Sequence, residues 1–359
     1  KTNYKLMQNI LIIGCGRVAE HYKYISKKIF SKKNKVIAVA DLDLDKARNF
    51  GNFYNCNYYL DYQLAINKEN PNLIIILTPS GSHFKIAMYC LKKKLNTIVE
   101  KPMAMTPSEC KKLINIAKIN KVLLSTIFQN RFNPSIVYMK SLIDKNYFGK
   151  IITANIRLRW ARYQSYYEDG WHGTWKNDGG VINQQCIHHI DILRMINGNI
   201  LEVCAHGINA LNKLEAEDTM TALFKFKNNS IGTLEATTAA RPHDIEANLS
   251  LTAEKGYFEI GGIALNELKK FHLNDKKINK KNLTKKISES VPGGYGLSHI
   301  RFFKKLFYSL NNKNLSSPID NQSALETTKI IHALYLSDEK KRWIKVDNKS
   351  ISNRLGKDL

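Results

Sequence analysis

Two side chains of this sequence are of a type, and in a setting, to move a proton or hold a developing charge. Lys101 stands in Asn96-Thr97-Ile98-Val99-Glu100-Lys101-Pro102, where a β-branched strand runs into a charged pair and a proline. Pro102 disfavours helical geometry at Lys101. A long cationic side chain is then left at the carboxyl end of a strand, the edge of an open parallel sheet where ligands bind. Alone, such a triplet reads better as a solvated turn with a surface lysine. His188 follows Gln184 by four residues and precedes Asp191 by three, so a helix through Val181 to Leu193 puts all three on one face. An imidazole, with an ordinary pKa of about 6.5, suits proton transfer at neutral pH. The plain alternative for His188 is a satisfied core histidine; His189 points elsewhere and reads as structural.

The elements that must position these groups begin with Asn9 to Ile13, an apolar run ending in Gly14-Cys15-Gly16-Arg17-Val18-Ala19. That G-x-G-x-x-A sits between strand and helix. Gly14 permits a tight turn, Gly16 lets a pyrophosphate approach the backbone, and Ala19 allows close helix–strand packing. The helix start offers unpaired N–H groups to phosphates. A second strand, Val36 to Ala40, ends in Asp41, 22 residues after Ala19. A carboxylate there meets ribose hydroxyls and repels a 2′-phosphate, favouring NAD over NADP. The alternative is that Asp41 only caps the next helix, a role better suited to Asp43.

Leu73 to Leu77 is a third buried strand, followed by Thr78-Pro79-Ser80-Gly81-Ser82-His83, with Ser82 expected to cap a helix through Lys93. Thr106-Pro107-Ser108-Glu109 is a capping box with proline at the first helical position, starting a helix to about Asn120. Val122 to Phe128 closes the series. Strand and helix alternate throughout, which predicts an α/β, doubly wound parallel sheet, a Rossmann domain over residues 1–128.

After Phe128 the period changes. Asn133-Pro134 starts a helix to about Asp144, and Ile152, Ala154, Ile156, Leu158 and Trp160 alternate with Thr153, Asn155, Arg157 and Arg159. Further alternating runs at 219–226, 231–238, 247–253 and 257–260 predict an α+β domain, residues 129–359, with a mostly antiparallel open sheet. Between the first strand and the rest lies Trp171-His172-Gly173-Thr174-Trp175-Lys176-Asn177-Asp178-Gly179-Gly180, whose glycines admit a ligand at a helix entrance. Arg131, Arg157, Arg159 and Arg162 supply cationic forks for a carboxylate or diphosphate, though not all can reach one site, and the alternative for Arg157 and Arg159 is that they line the solvated sheet face. Trp160, Tyr166, Tyr167 and Trp175 either stack on a sugar or base or belong to the core. Pro292 to His299 reads as a flexible loop closing over substrate, and an amphipathic helix runs from about Gln322 to Asp338.

At 359 residues the chain suits two domains, and 43% apolar content supports ordinary cores. No apolar run reaches 18 residues, so no membrane span is expected. Lys1 to Met7 lacks an apolar signal region, and Met7 reads as a functional start after a poorly ordered extension. The six cysteines show no metal-like spacing and suit a reducing cytoplasm. A net charge of +24 would suit nucleic acid. However, the lysines are spread over helix surfaces, and the densest run, Lys269 to Lys286, has eight of them with Phe271 as its one aromatic. A solvated loop or strand edge is expected there, with no nucleic acid, membrane or metal as partner.

The glycine motif, Thr78-Pro79 with Ser82-His83, and Glu100-Lys101-Pro102 resemble, in order and spacing, the glucose–fructose oxidoreductase and inositol dehydrogenase (Gfo/Idh/MocA) family. The resemblance implies NAD as cofactor, held by Gly14, Gly16, Arg17, Val18, Asp41, Thr78, Pro79, Ser82, His83, Glu100, Lys101, Gln129 and Trp175. It places Lys101 beside the nicotinamide and the reacting hydroxyl. It also implies an Asp-x-x-x-His pair ending at His188, but Gln184 occupies the carboxylate position, and an amide cannot act as a base. With Gly173-Thr174-Trp175, Asp178-Gly179-Gly180, Asn183-Gln184 and Phe128 to Pro134, the chain is similar to UDP-N-acetylglucosaminuronate 3-dehydrogenases. Substrate would then meet Lys101, Arg131, Trp160, Arg162, Trp175, Asn183, Gln184 and His188. The expectation is a sugar or sugar-nucleotide dehydrogenase working as a homodimer or homotetramer through its second sheet, the final helix packing back toward the first domain. An inositol or free-sugar dehydrogenase and a non-catalytic dinucleotide sensor are the rival readings.

Overall fold

The computed structural model describes residues 7–274, 282–291, 296–312 and 315–358. The chain divides into two compact units, one of residues 1–128 with 299–325, the other of residues 129–298 with 326–359. Neither is a continuous stretch of sequence, so the expected boundary after Phe128 is joined by two later crossings that no local signal marked.

In the first unit, β1 (Gln8–Ile13), α1 (Arg17–Ile29), β2 (Asn34–Ala40), α2 (Leu44–Tyr54), β3 (Asn57–Tyr59) and α3 (Tyr62–Glu69) come first. They are followed by β4 (Leu73–Ile76), α4 (His83–Lys92), β5 (Asn96–Glu100), α5 (Pro107–Asn120) and β6 (Leu124–Ile127). The strands pair in parallel in the order β3-β2-β1-β4-β5-β6. That order reverses at β1/β4, the crevice where doubly wound sheets take ligands. The Ile-rich runs of β1 and β4 are buried on both faces, as covered parallel strands require. Local signals set the helix starts. Asp43 accepts from Asp45 and Lys46 N–H to cap α2, and Thr106 and Glu109 form the reciprocal box on α5. Ser82 does not cap α4. A short 3₁₀ turn, Ser80–Ser82, precedes it, and the Ser82 hydroxyl lies 2.7 Å from both Thr78 Oγ1 and the Pro79 carbonyl.

The second unit holds α6 (Pro134–Asp144), β7 (Ile151–Arg159), α7 (Val181–Gln184), α8 (Ile187–Asn197), β8 (Ile200–Ile208), β9 (Thr219–Phe226) and β10 (Ile231–Thr237). Then come β11 (Glu246–Ala253), β12 (Gly256–Gly261), β13 (Glu267–Leu273) and α9 (Leu283–Ile287). Later in the chain, α10 (Ser298–Asn311) falls almost wholly among the residues of the first unit, whereas α11 (Asn321–Lys340), from Glu326 on, and β14 (Ile344–Lys345) belong to the second. The sheet runs β13-β12-β11-β7-β10-β9-β8-β14, antiparallel except that β7 pairs in parallel with β10. On one face Ala154, Ile156, Leu158, Met220, Ala222, Phe224, Leu234 and Ala236 are buried, with α8 against β7. The other face is open and carries Arg157 and Arg159 in ion pairs with Glu235 and Glu246. Ile152, expected on the buried face, is 50% exposed.

Asn133 starts α6 without capping it through its side chain, which donates instead to the carbonyls of Ala264 and Leu265. Lys269 and Lys270 lie on β13, an edge strand, where charge discourages further pairing. Residues 275–281 of the lysine-rich run, 292–295 of the expected closing loop and the leader through residue 6 lie outside the described residues. No helix among the described residues is long and apolar enough to cross a membrane.

Candidate active site

In the first unit the glycine turn is held from both sides. Gly14 has φ +98°, and a Cβ there would lie 2.7 Å from the backbone of Leu77 and Thr78, so no other residue fits. Gly14 N–H donates to the Ala40 carbonyl at 2.8 Å, and Cys15 N–H donates to Asp41 Oδ2 at 2.7 Å. A Cβ on Gly16 would meet nothing within 4 Å, and α1 begins there without a side-chain cap. Open space at an uncapped helix start fits a dinucleotide pyrophosphate. Asp41 Oδ1 accepts from Asp43 N–H at 2.9 Å, so the carboxylate braces the turn; each oxygen keeps a lone pair for a ribose hydroxyl.

His83 and Glu100 are enclosed in the protein interior. His83 is buried, with Nδ1 2.7 Å from the Pro102 carbonyl and Nε2 2.9 Å from the Thr78 carbonyl. Both ring nitrogens therefore face the chain, and the residue ties the turn after β4 to the turn after β5. Burial lowers its pKa, while the two carbonyls oppose that shift by favouring a ring with two donors. Glu100 is buried below Lys101. Its Oε1 accepts from the Tyr22 hydroxyl at 3.2 Å and lies 3.6 Å from His299 Nε2, and its Oε2 accepts from Lys101 N–H at 3.2 Å. Burial pushes this carboxyl up, but His299, Lys101 and the Lys101 amide together bring it below the usual glutamate value. Lys101 itself is half-buried at the end of β5. Sequence reasoning assigned His83 and Glu100 to cofactor contact; the structure gives their side chains to Thr78, Pro102, Tyr22 and Lys101.

In the second unit the expected helix from Val181 to Leu193 is broken. α7 ends at Gln184, Gln185 and Cys186 intervene, and α8 begins at Ile187. The apolar spacing continues across the break, so periodicity could not reveal it. Gln184, His188 and Asp191 consequently do not form one helical stripe. Asp191 is buried in a two-point ion pair with Arg131, 2.6 and 2.5 Å, and accepts from Thr327 at 2.8 Å. Arg131 is thereby anchored within its unit. From Val181 to Ile190, Gln184 and His188 are the two residues not fully buried. His189 is enclosed, and burial lowers its pKa to about 4, in keeping with a structural role.

The loop before α7 is braced by its own unit. Asn183 Nδ2 donates to the Asp178 carbonyl at 2.5 Å, and Asp178 Oδ2 accepts from Gly173 N–H at 2.8 Å. Trp175 is buried, its ring 5.1 Å from Tyr335 and 4.6 Å from the Arg354 guanidinium, and its main-chain N–H donates to Glu215 Oε2 at 2.9 Å. Arg162 is held by Asp244 at 2.9 Å and lies over Trp160 at 5.1 Å. Trp160 Nε1 and Gln129 Oε1 are buried and have no hydrogen-bond partner among the described residues. Sequence reasoning missed Glu215, Glu217 and Tyr335, which carry no local signature.

A dinucleotide-binding sheet followed by this open-faced sheet defines an NAD-binding oxidoreductase. A model of the oxidoreductase family's NAD-binding Rossmann fold matches residues 8–128, and the GFO/IDH/MocA C-terminal domain matches residues 136–259. The chain belongs to the Gfo/Idh/MocA family. Among relatives, Oxidoreductase P35 of Formosa agariphila is 27% identical over 60% of this chain and 68% of its own length. Inositol 2-dehydrogenase of Rubrobacter xylanophilus is 24% identical over 63% of each. Among solved structures, the WlbA dehydrogenase of Chromobacterium violaceum in complex with NADH and UDP-GlcNAcA has a TM-score of 0.88 at 24% identity, covering 95% of this chain and 96% of that one. The WlbA dehydrogenase of Bordetella pertussis, also with NADH and UDP-GlcNAcA, scores 0.89 at 22% identity, covering 94% and 97%. At these identities the likeness establishes the fold.

Proposed function

We propose that this oxidoreductase oxidises a secondary hydroxyl, that of C3, on a sugar nucleotide such as UDP-N-acetylglucosaminuronic acid. The observation that carries the reading is the pair Gln184 and His188, left accessible in an otherwise buried stretch at the helix break. The likeness of the whole chain to two dehydrogenases solved with UDP-GlcNAcA supports the substrate class. NAD, when bound through Gly14, Gly16 and Asp41, supplies the hydride acceptor. Lys101 polarises the hydroxyl oxygen and stabilises negative charge as it develops. His188 takes the hydroxyl proton, and Gln184, an amide, orients the sugar without exchanging protons.

Two further elements belong to this reading. The open sheet face, with Leu223 at 49% and Ile231 at 60% exposure, joins copies of the chain into a homodimer or homotetramer. Six free cysteines suit a reducing cytoplasm. The test is NADH formation, followed by absorbance, over a panel of UDP-sugars, inositols and free sugars, alongside UDP binding. Turnover of a UDP-sugar with UDP as a competing ligand is expected. Turnover of inositol or a free sugar, with no UDP binding, would assign the rival activity instead.

A further inference from the structure

Glu217 lies just before β9, outside every motif of the sequence, and is buried. Its carboxylate Oε1 accepts from Ile182 N–H at 3.0 Å and from the Tyr335 hydroxyl at 3.0 Å. Its main-chain carbonyl accepts from Val181 N–H, also at 3.0 Å. The Tyr335 oxygen in turn accepts from Gly180 N–H at 3.1 Å. Three consecutive amides at the start of α7 are thus held by one glutamate and one tyrosine. Gly180 makes the approach possible, since a Cβ there would stand 2.1 Å from the Glu217 carbonyl oxygen and 2.3 Å from Oε2. α7 has four residues and no side-chain cap of its own, so it cannot set its own direction.

We propose that Glu217 is a positioning residue for substrate: by fixing the start of α7 it sets where Asn183 and Gln184 stand. The inference rests on the reading that these two residues meet the sugar. Glu217 reaches substrate only through the backbone of residues 180–182, so its loss should weaken substrate binding while leaving NAD binding alone. Oε2 has no hydrogen-bond partner among the described residues, so a glutamine that keeps one carbonyl oxygen retains both contacts.

The experiment compares wild type, E217A, E217Q and Y335F, each checked for folding by its melting curve. With the UDP-sugar that the wild type turns over, E217A is expected to raise KM for sugar about tenfold, the scale of a lost buried hydrogen bond. kcat and KM for NAD should change less than twofold. E217Q should recover most of the loss, and Y335F should show a smaller KM effect. In a second measurement needing no substrate, amide exchange at Val181 and Ile182 is read at one pH. Faster exchange in E217A but not in E217Q supports positioning; equal exchange in all four proteins overturns it. An unchanged sugar KM in active, folded E217A also overturns it. Should the wild type turn over no UDP-sugar, the functional reading fails separately and amide exchange decides the role of Glu217. If E217A does not fold, Y335F decides by the same two measurements.

Discussion

Asp41 holds the glycine turn through the backbone of Cys15: Oδ2 of the one accepts N–H of the other at 2.7 Å. The acid at the end of β2 thus shapes the turn, and in the proposed reading it also meets the ribose. Asp41→Asn removes the charge and can keep one of the two backbone contacts. The expected result is a KM for NAD raised by about tenfold, with NADP gaining relative to NAD because the repulsion of a 2′-phosphate is gone. Steady-state kinetics with both cofactors checks this. Equal efficiency with NADP in the wild type would end the assignment of selectivity to Asp41.

Lys101→Met and His188→Asn should each slow the chemical step by ~10²–10⁴ while NAD affinity holds, since the proposal assigns cofactor binding to the glycine turn and Asp41. Groups acting on one proton transfer are not additive, so the double variant should be little worse than the poorer single one. Single-turnover NADH formation measures both. Near-normal turnover in His188→Asn would remove the histidine from the reaction and leave Lys101, or another residue, as the acceptor.

Glu217 also predicts a pH dependence of stability. Burial raises its pKa to about 7, outweighing the Ile182 and Tyr335 hydrogen bonds and the Arg354 charge, which lower it. Tyr335 stays neutral, its own pKa raised well above 10 by burial. A carboxyl raised in the folded state stabilises fully below its ordinary value and loses that contribution as pH rises through about 7. The melting temperature of the wild type minus that of Glu217→Gln should therefore fall between pH 5 and pH 8. A difference constant across that range would mean Glu217 does not titrate there.

On the open sheet face, Leu223→Asp places a charge where association would bury it. The expected outcome in light scattering is a shift from oligomer to a 41.1 kDa monomer, with the melting temperature little altered because the residue is exposed within its own chain. A wild type that is already monomeric at micromolar concentration would remove this role from the sheet.

What could be read in advance was whatever is encoded within one element. The capping box at Thr106, the Asp43 cap and the isoleucine run of β4 depend on neighbours a few residues away, and each stands where its pattern put it. Glu217 depends on Ile182 and Tyr335, 35 and 118 residues distant, and no spacing rule connects them. His83 matched a motif, but its enclosure by two carbonyls is a tertiary fact. The break at Gln185 and Cys186 stayed hidden because buried residues on both sides keep a helical period. Strands β3 and β8 were missed for opposite reasons, one being too short and the other carrying His206 and Gly207 inside its alternation.

β7 and β10 lie side by side in parallel, yet 78 residues separate Thr153 from its partner Ile231. The whole stretch from Trp171 through α8 lies inside that interval, entered from β7 in the middle of the sheet and left through β8, one strand from its edge. Closing a long loop grows more costly only with the logarithm of its length. Residues can therefore be added to or removed from the excursion while the strand register stays intact. A chain built this way can acquire a new specificity by lengthening or shortening one loop, with the scaffold that carries it left unaltered.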